Sequence, residues 1–334
     1  MSIEINKETD HFFISINKSS MHSFVMLGVY DGNQVKHPLC RVGMAAVHEA
    51  VCDGYVVALV SRYIYQFFFS KAKAELKDEK VVRNKIGSYL INYQAYDITY
   101  KQYIEFIKIL ETIQTEKNKF CCFKPIVEEG NEVILSYTNS PMQSDSPPPN
   151  TVHLKERLAN LSVRNTCRHS AVALIEEAGK TPISSTVSNS FYRNLLCQTK
   201  LEYGVPSKAI PFYVLPVPPA AYPGLNKATK KIIDTLYKRM ENLLKIEANS
   251  EETQKKFACL KQLYVQTIGP QQEQTLDELL HSIQTWKLEN QSTLASLRKI
   301  YFWDRFITRK SATMSEVDKL IDDLKETQNS NNKL

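Results

Sequence analysis

The chain has 334 residues, and its 43% hydrophobic and 23% charged content is typical of a folded globular protein and excludes a largely disordered one. The 42 Lys and Arg outnumber the 36 Asp and Glu and give a net charge of +6, but they alternate with acidic residues and form no long basic block. The charge pattern therefore gives no support for a nucleic-acid partner, and the length allows one large domain or two ordinary ones.

The first part of the chain predicts an antiparallel meander. Alternating and β-branched patterns predict strands over 12–16, 22–30 and 36–42, with Asp31-Gly32-Asn33 as the turn between the last two. Ala, Val and aromatic residues then recur at helical spacing from about 44 to 76, which predicts a helix or a helix pair.

Further elements alternate through the middle of the chain. A Tyr-rich strand is predicted over 86–99, a helix over 100–116 and further strand or loop over 120–135. Proline and serine over 138–150 predict a loop. A helix should then begin with Asn165 or Thr166 as its N-cap and stop at Gly179.

The last third of the chain is predicted to be helical. Recurrent proline forces an extended path over 210–222, and amphipathic patterns then predict helices over 227–246, 251–268, 275–300 and 314–327, with a basic turn near Arg309 and Lys310. We therefore predict an α+β fold, an antiparallel sheet with packed helices in residues 1–222 that carries a helical insertion near 44–85. An all-helical region with a polar tail should fill 223–334.

The seven cysteines are odd in number and show no disulfide spacing, so we expect free thiols. We expect no metal site, because the adjacent Cys121 and Cys122 lack a second ligand pair, and no cofactor, because no glycine-rich phosphate loop or dinucleotide fingerprint is present. We also expect neither a signal peptide nor a membrane span. Residues 55–69 form the most apolar stretch, but a span needs ~20 apolar residues; they indicate a buried helix or, as the alternative, contact with a membrane surface.

Cys167 is the best candidate nucleophile. It falls in the first turn of its predicted helix, where unpaired backbone N–H groups and the helix dipole lower a thiol pKa and can bind an oxyanion. Asn165 and Thr166 immediately precede it and would position these donors. His22, at the start of a strand, is the candidate base. The competing interpretation is a small apolar cysteine in the core.

The segment Asn165-Thr-Cys-Arg-His, after an early strand that begins with His22 and a Tyr-rich strand that leads into a helix, resembles the circularly permuted papain-like enzymes. These include the permuted NlpC-like hydrolases and the lecithin:retinol acyltransferase group. The resemblance spans about residues 10–180. It implies a Cys167 nucleophile, a His22 base and a third polar residue on the following strand, which would be His37.

The segment from Phe12 to Gly28 and the polar tail 315–328 resemble type IV secretion effectors of Legionella-type bacteria. This resemblance implies delivery into the cytoplasm of a host cell. The expected function is then a cysteine-dependent hydrolase or an amide- or acyl-transfer enzyme acting on a host protein, peptide or lipid. The alternative is a non-catalytic effector whose helical region binds a host protein.

Overall fold

The computed structural model describes residues 1–47, 72–81, 87–142, 149–269, 274–299 and 309–331. They form two compact units, Met1–Val214 and Leu215–Leu334. The first unit combines antiparallel sheets with helices and the second contains helices, which confirms the α+β class and the large antiparallel sheet. The division falls inside the proline-containing run, whereas we predicted a boundary after residue 222.

Two sheets organise the first unit. The strands are β1 (Ser2–Asn6), β2 (His11–Ser19), β3 (His22–Asp31), β4 (Gln34–Ala46), β5 (Ala72–Asp78), β6 (Ser88–Ile98), β7 (Cys122–Glu129), β8 (Glu132–Thr138), β9 (Asn160–Leu161), β10 (Cys197–Glu202), β11 (Val205–Pro206) and β12 (Val214–Leu215). The large sheet has the order β11-β10-β6-β2-β3-β4-β5-β9, and β1-β8-β7 forms a small one. All of these neighbours are antiparallel.

The predicted meander is confirmed in β2, β3 and β4. Successive residues of β2 and β3 are buried on both faces, since the centre of the sheet is covered on both sides. The turn between β3 and β4 carries Gly32 at φ +53°, a left-handed conformation that glycine adopts without steric cost. This hairpin fixes the register in which Tyr30 faces Val35.

The helix predicted from 44 to 76 is wrong at both ends. Residues 44–46 belong to β4 and residues 72–76 to β5, while residues 48–71 lie outside the described part of the chain, as does the stretch 55–69. In β5 the buried residues are Ala72, Ala74 and Leu76, which is the period of two expected for a strand. The high charge of this segment concealed that alternation.

Among the described residues of the first unit, three segments are α-helices: α1 (Tyr100–Ile113), α2 (Val152–Leu158) and α3 (Cys167–Gly179). Thr99 caps α1 in a capping box with Gln102. Helix α3 begins directly after Thr166 and ends at Gly179, the predicted stop, where Lys180 takes the left-handed conformation at φ +49°. Helix α3 packs against β2, β3 and β4, so the sheet supports the helix that carries Cys167.

The second unit contains α4 (Lys227–Leu244), α5 (Glu251–Ile268), α6 (Leu276–Glu289), α7 (Gln291–Ala295) and α8 (Ala312–Asn331). The side chains of Asn226, Ser250 and Thr275 each accept a hydrogen bond from a backbone N–H three residues later, which caps α4, α5 and α6. The single helix predicted over 275–300 is two helices that meet at Asn290. Among the described helices, none combines the length and hydropathy needed to cross a bilayer.

Candidate active site

The structure brings His22 and Cys167 together, although 144 positions separate Ser23 and Cys167 in sequence. His22 opens β3, directly after the tight turn at Ser20 and Met21, and Cys167 opens α3. The two side chains are close enough for each to shift the pKa of the other. The backbone N–H of Ser23 donates to the Cys167 sulfur over 3.2 Å, and the carbonyl of Met21 lies 3.9 Å from the sulfur. The start of β3 therefore surrounds the sulfur with a ring, a backbone amide and a backbone carbonyl.

These contacts lower the pKa of Cys167 and raise the pKa of His22, and both shifts favour an ion pair. Burial raises the pKa of Cys167, but the hydrogen bonds from His22 and Ser23 and the charge of His22 outweigh it, so the thiol pKa is lowered. Burial lowers the pKa of His22, but its contacts with Cys167 and Glu79 outweigh that effect and raise the pKa to about 9. A thiolate and an imidazolium are the protonation states that such opposite shifts favour.

Glu79 holds the other side of the imidazole. Its Oε1 lies 2.6 Å from Nε2 of His22, in a residue that directly follows β5. Because Nε2 faces this carboxylate, Nδ1 is the ring nitrogen available to the Cys167 sulfur. The backbone N–H of Glu79 donates to the carbonyl of Arg41 over 3.0 Å. This bond holds the backbone of Glu79 against β4. Glu79 thus fixes the orientation of the ring.

Arg41 lies behind Glu79 with no solvent exposure. Its Nη2 is 3.7 Å from Glu79 Oε2 and donates to the Tyr89 hydroxyl, while Nη1 donates to the carbonyl of Gly204 over 3.2 Å. The guanidinium also lies 4.6 Å from the centre of the Phe24 ring. A buried guanidinium needs a partner of opposite charge, and the carboxylate of Glu79 is that partner.

His37 does not belong to this cluster. It lies on β4 opposite Val29 of β3. His22 begins β3 seven positions before Val29, so His37 and His22 are separated by about 23 Å along the strand direction. The charged groups around His37 are Lys36, Asp10 and Lys208. The prediction of His37 as the third residue is therefore corrected to Glu79. Strand β4 begins beside the end of β3 and runs back toward its start, so His37, early in β4, is distant from His22, whereas Gly43, late in β4, lies beside it.

Asn165 and Thr166 shape the start of α3 without contacting the sulfur in any described hydrogen bond. The Asn165 side-chain amide donates to the carbonyls of Arg157 and Asn160, both at 2.6 Å, and so anchors the loop before the helix. The backbone N–H of Thr166 donates to Nδ1 of His169 over 3.3 Å. These two residues therefore hold the start of the helix in place, and through it the backbone donors beside Cys167.

The first turn of α3 leaves donors near the sulfur. The backbone N–H groups of an opening helical turn have no carbonyl partner within the helix, and they carry its positive partial charge. In α3 these are the N–H groups of Cys167 and Arg168. An oxyanion formed at a carbon bonded to the sulfur would lie close to them.

A cavity of about 350 Å³ opens beside the same helix start. Thr166 and His169 line it from α3, and the other lining residues are Val163, Asn189, Ser190, Phe191 and Tyr192. Buried Arg168, the residue after Cys167, donates to the carbonyls of Ser188 and Ser190 and so tethers this loop to α3. Val163 and Tyr192 expose 49% and 70% of their surface, which gives the cavity an apolar rim.

Three residues of this site, Glu79, Arg41 and Gly43, are not predicted from the sequence. Glu79 is one of several charged residues in a segment rich in charge, and Arg41 is an isolated charge in the apolar part of β4 whose partner the sequence does not reveal. Gly43 carried a usable signal, because an isolated glycine in a strand often marks a close approach. A Cβ at Gly43 would lie 2.6 Å from Glu79 Oε1 and 2.7 Å from His22 Nε2. The absence of a side chain at Gly43 therefore leaves room for the contact between Glu79 and His22.

We predict that Gly43→Ala disrupts the alignment of His22. The added methyl group must push His22 or Glu79 aside, and the alkylation rate of Cys167 by iodoacetamide at neutral pH should fall roughly 10- to 100-fold. Gly87→Ala is the matched control, because a Cβ there meets nothing within 4 Å. Circular dichroism should show the same fold for both variants. Equal Cys167 reactivity in Gly43→Ala and the wild type would contradict the described geometry.

Within the described part of the chain, no three His, Cys, Asp or Glu side chains are grouped closely enough to hold a metal ion. Comparisons with protein-family models, with curated proteins and with solved structures found no match.

Proposed function

We propose that this protein is a cysteine-dependent hydrolase or acyl- or amide-transfer enzyme, with Cys167 as nucleophile, His22 as general base and acid, and Glu79 as the residue that orients His22. One observation carries the proposal. The imidazole of His22 contacts the Cys167 sulfur on one side and the Glu79 carboxylate on the other, at the start of a helix. A nucleophile, a base and an orienting group in mutual contact are the minimum for thiol catalysis.

The first half of the reaction would form an acyl-enzyme. The Cys167 thiolate attacks the carbonyl carbon of an amide or ester, and a carbon–sulfur bond forms while the carbonyl π electrons move onto oxygen. When the tetrahedral adduct collapses, the bond to the leaving nitrogen or oxygen breaks. The His22 imidazolium gives that atom its proton, so the leaving group departs as a neutral amine or alcohol.

The second half would release the acyl group. Neutral His22 takes a proton from water, and the oxygen attacks the acyl carbon; the carbon–sulfur bond then breaks and restores the Cys167 thiolate and the His22 imidazolium. An amine or alcohol in place of water gives transfer instead of hydrolysis. In both halves the charge develops on the carbonyl oxygen, where the N–H groups of the first turn of α3 would stabilise it.

The cavity beside α3 supports a substrate with a large apolar group. Phe191, Tyr192 and Val163 offer apolar surface close to the helix start, while the polar groups come from Asn189, Ser190 and His169. Such a lining, mostly apolar with a few polar groups, is typical of sites that bind an organic side chain or acyl chain. A peptide substrate with an aromatic or long aliphatic side chain next to the cleaved bond fits this lining.

Delivery into a host cell by type IV secretion is part of the same proposal, and it rests on the resemblance of the polar tail. Residues 315–328 of that tail lie within helix α8, which buries Val317, Leu320 and Leu324. A reporter fused to the full chain should enter host cells in a manner that requires the secretion system. Entry at equal levels from a strain without the system would contradict delivery by this route.

We predict that iodoacetamide at neutral pH alkylates Cys167 faster than the other described cysteines. The hydrogen bond with Cys122, together with burial, raises the pKa of Cys40, and burial raises the pKa values of Cys121 and Cys259, whereas that of Cys167 is lowered. Mass spectrometry of the digested protein would give the rate at each site. His22→Ala should slow alkylation of Cys167 by about tenfold or more, because the imidazolium that stabilises the thiolate is lost.

His37→Ala is the matched control for that experiment. It removes the same side chain from a position far along the sheet, so it should leave the Cys167 rate unchanged. Cys167→Ser should abolish turnover of any substrate that is found. Equal effects of His22→Ala and His37→Ala, or a Cys167 rate no faster than that of Cys121, would contradict the proposed nucleophile.

We further predict that the cavity selects an apolar group on the acyl side. Two peptidyl vinyl sulfones that differ only in a Phe or a Ser side chain next to the electrophile should label Cys167 at different rates, with the Phe compound faster by about tenfold. Tyr192→Ser should reduce this preference and leave iodoacetamide labelling unchanged. Tyr203→Ser removes a tyrosine that is also largely exposed, at a position outside this cavity, and is the control. A preference unaltered by Tyr192→Ser would argue against this cavity.

A further inference from the structure

The N-terminal cap of helix α3 uses an unusual residue. In each of α1, α3 and α6 a threonine precedes the helix, and its backbone N–H bonds to the side chain three positions later, as in a capping box. That side chain is Gln102 in α1 and Glu278 in α6, the residue types that usually make this bond. In α3 it is His169, two positions after Cys167. A histidine makes the same bond with one ring nitrogen and has a second nitrogen to spare.

The cap fixes the tautomer of His169. The backbone N–H of Thr166 donates to Nδ1 over 3.3 Å, and the Thr166 hydroxyl lies 3.0 Å from the same nitrogen. Burial, with the charges of Arg157 and Arg168, lowers the pKa of His169, so the ring is neutral near pH 7. A neutral imidazole whose Nδ1 accepts a hydrogen bond carries its proton on Nε2. Nε2 is therefore a hydrogen-bond donor.

This donor is unused and lies at the cavity beside α3. Within the described part of the chain, the hydrogen bonds of the His169 ring involve Nδ1 and none involves Nε2. The side chain is half-buried and lines the cavity of about 350 Å³, in the same helical turn as Cys167. Water can accept from Nε2–H in the free protein, but a substrate that displaces this water must replace the lost hydrogen bond.

The loop that closes the cavity directs its backbone carbonyls to other donors. The carbonyls of Ser188 and Ser190 accept from the guanidinium of Arg168 over 3.3 and 2.8 Å. The carbonyl of Tyr192 accepts from Nζ of Lys18 over 3.2 Å. These bonds hold the loop in place and leave the histidine donor for an acceptor that the substrate brings.

We infer that the Nε2–H of His169 donates to an amide carbonyl of the substrate, and that the substrate is a peptide rather than a plain acyl chain. This inference rests on the proposed function and names its substrate class. In a peptide, an amide carbonyl lies only a few bonds from both the side chain and the bond that is cleaved. Phe191 and Tyr192 would then contact the apolar side chain, while His169 holds the backbone next to it. An acyl chain would displace water from the donor and offer no acceptor in return.

The test compares two electrophiles that differ in one acceptor. The first is acetyl-phenylalanine vinyl sulfone, and the second has a trans-alkene in place of the acetamide, which keeps the shape but lacks the carbonyl oxygen. In both, the Cys167 thiolate adds to the β-carbon of the vinyl sulfone, and the carbon next to the sulfone takes a proton from His22. We expect the amide probe to label Cys167 of the full chain about three- to tenfold faster, the effect of one hydrogen bond.

Two substitutions of His169 form a matched pair, because this chain already uses both residue types in the same cap. His169→Gln should keep the preference, since Gln102 accepts from the backbone N–H of Thr99 and still donates through its own Nε2 to a carbonyl. His169→Glu should bring the ratio of the two labelling rates to about one or below, since Glu278 also caps its helix but a carboxylate has no N–H to donate. A displaced helix start, or a changed ionisation of Cys167, would slow both probes and leave the ratio unaltered.

A ratio near one in the wild type, or equal ratios in His169→Gln and His169→Glu, would overturn this inference. Faster labelling by the alkene probe would also overturn it and would favour an acyl chain as the substrate. In each of these cases Cys167 is still labelled, so the proposed function stands. If neither probe labels Cys167 of the wild type, the proposed function fails and this inference fails with it.

Discussion

The buried charge of Arg41 is the constraint on which the candidate active site depends. A guanidinium with no solvent exposure would be strongly destabilising without a nearby anion, and Glu79 supplies that anion at 3.7 Å. Glu79 is in turn held 2.6 Å from His22, and His22 contacts Cys167. The four groups alternate in charge when Cys167 is a thiolate and His22 is an imidazolium. Each charge therefore helps to fix the ionisation of the next, and Phe24 supports the assembly by lying against both His22 and Arg41.

This alternation defines the pH range in which the pair contributes to stability. His22 has a pKa raised from 6.5 to about 9, so its contribution is complete below pH 6.5 and is lost as the pH rises through about 9. Cys167 has a lowered pKa, so its contribution is present above the ordinary thiol pKa and is lost as the pH falls through the lowered value. The two groups are coupled, and the ion pair is most populated between the lowered pKa of Cys167 and the raised pKa of His22.

The sequence allowed the meander, the Tyr-rich strand, most of the helices and the helix that begins at Cys167 to be predicted, because these elements rest on local periodicity and caps such as Thr166. It also suggested His22 and Cys167, and the structure brings them together, while their catalytic roles stay a prediction. Glu79 and Arg41 could not be predicted, because their importance arises from strand pairing between β4 and β5. The residues of β5 up to Leu76 fall in the segment whose spacing predicts a helix, which hides that pairing, and the resemblance places the third residue on the strand after His22, which gives His37.

The most direct measurement is the ionisation of Cys167 itself, followed through the ultraviolet absorbance of the thiolate as the difference between the wild type and Cys167→Ser across pH. The account predicts a midpoint below the ordinary thiol value of about 8.5. It also predicts that the midpoint returns to or above that value when the same difference is measured in a His22→Ala background. A midpoint at the ordinary value in the wild type, or one that His22→Ala leaves unchanged, would contradict the ion pair and with it the proposed thiol chemistry.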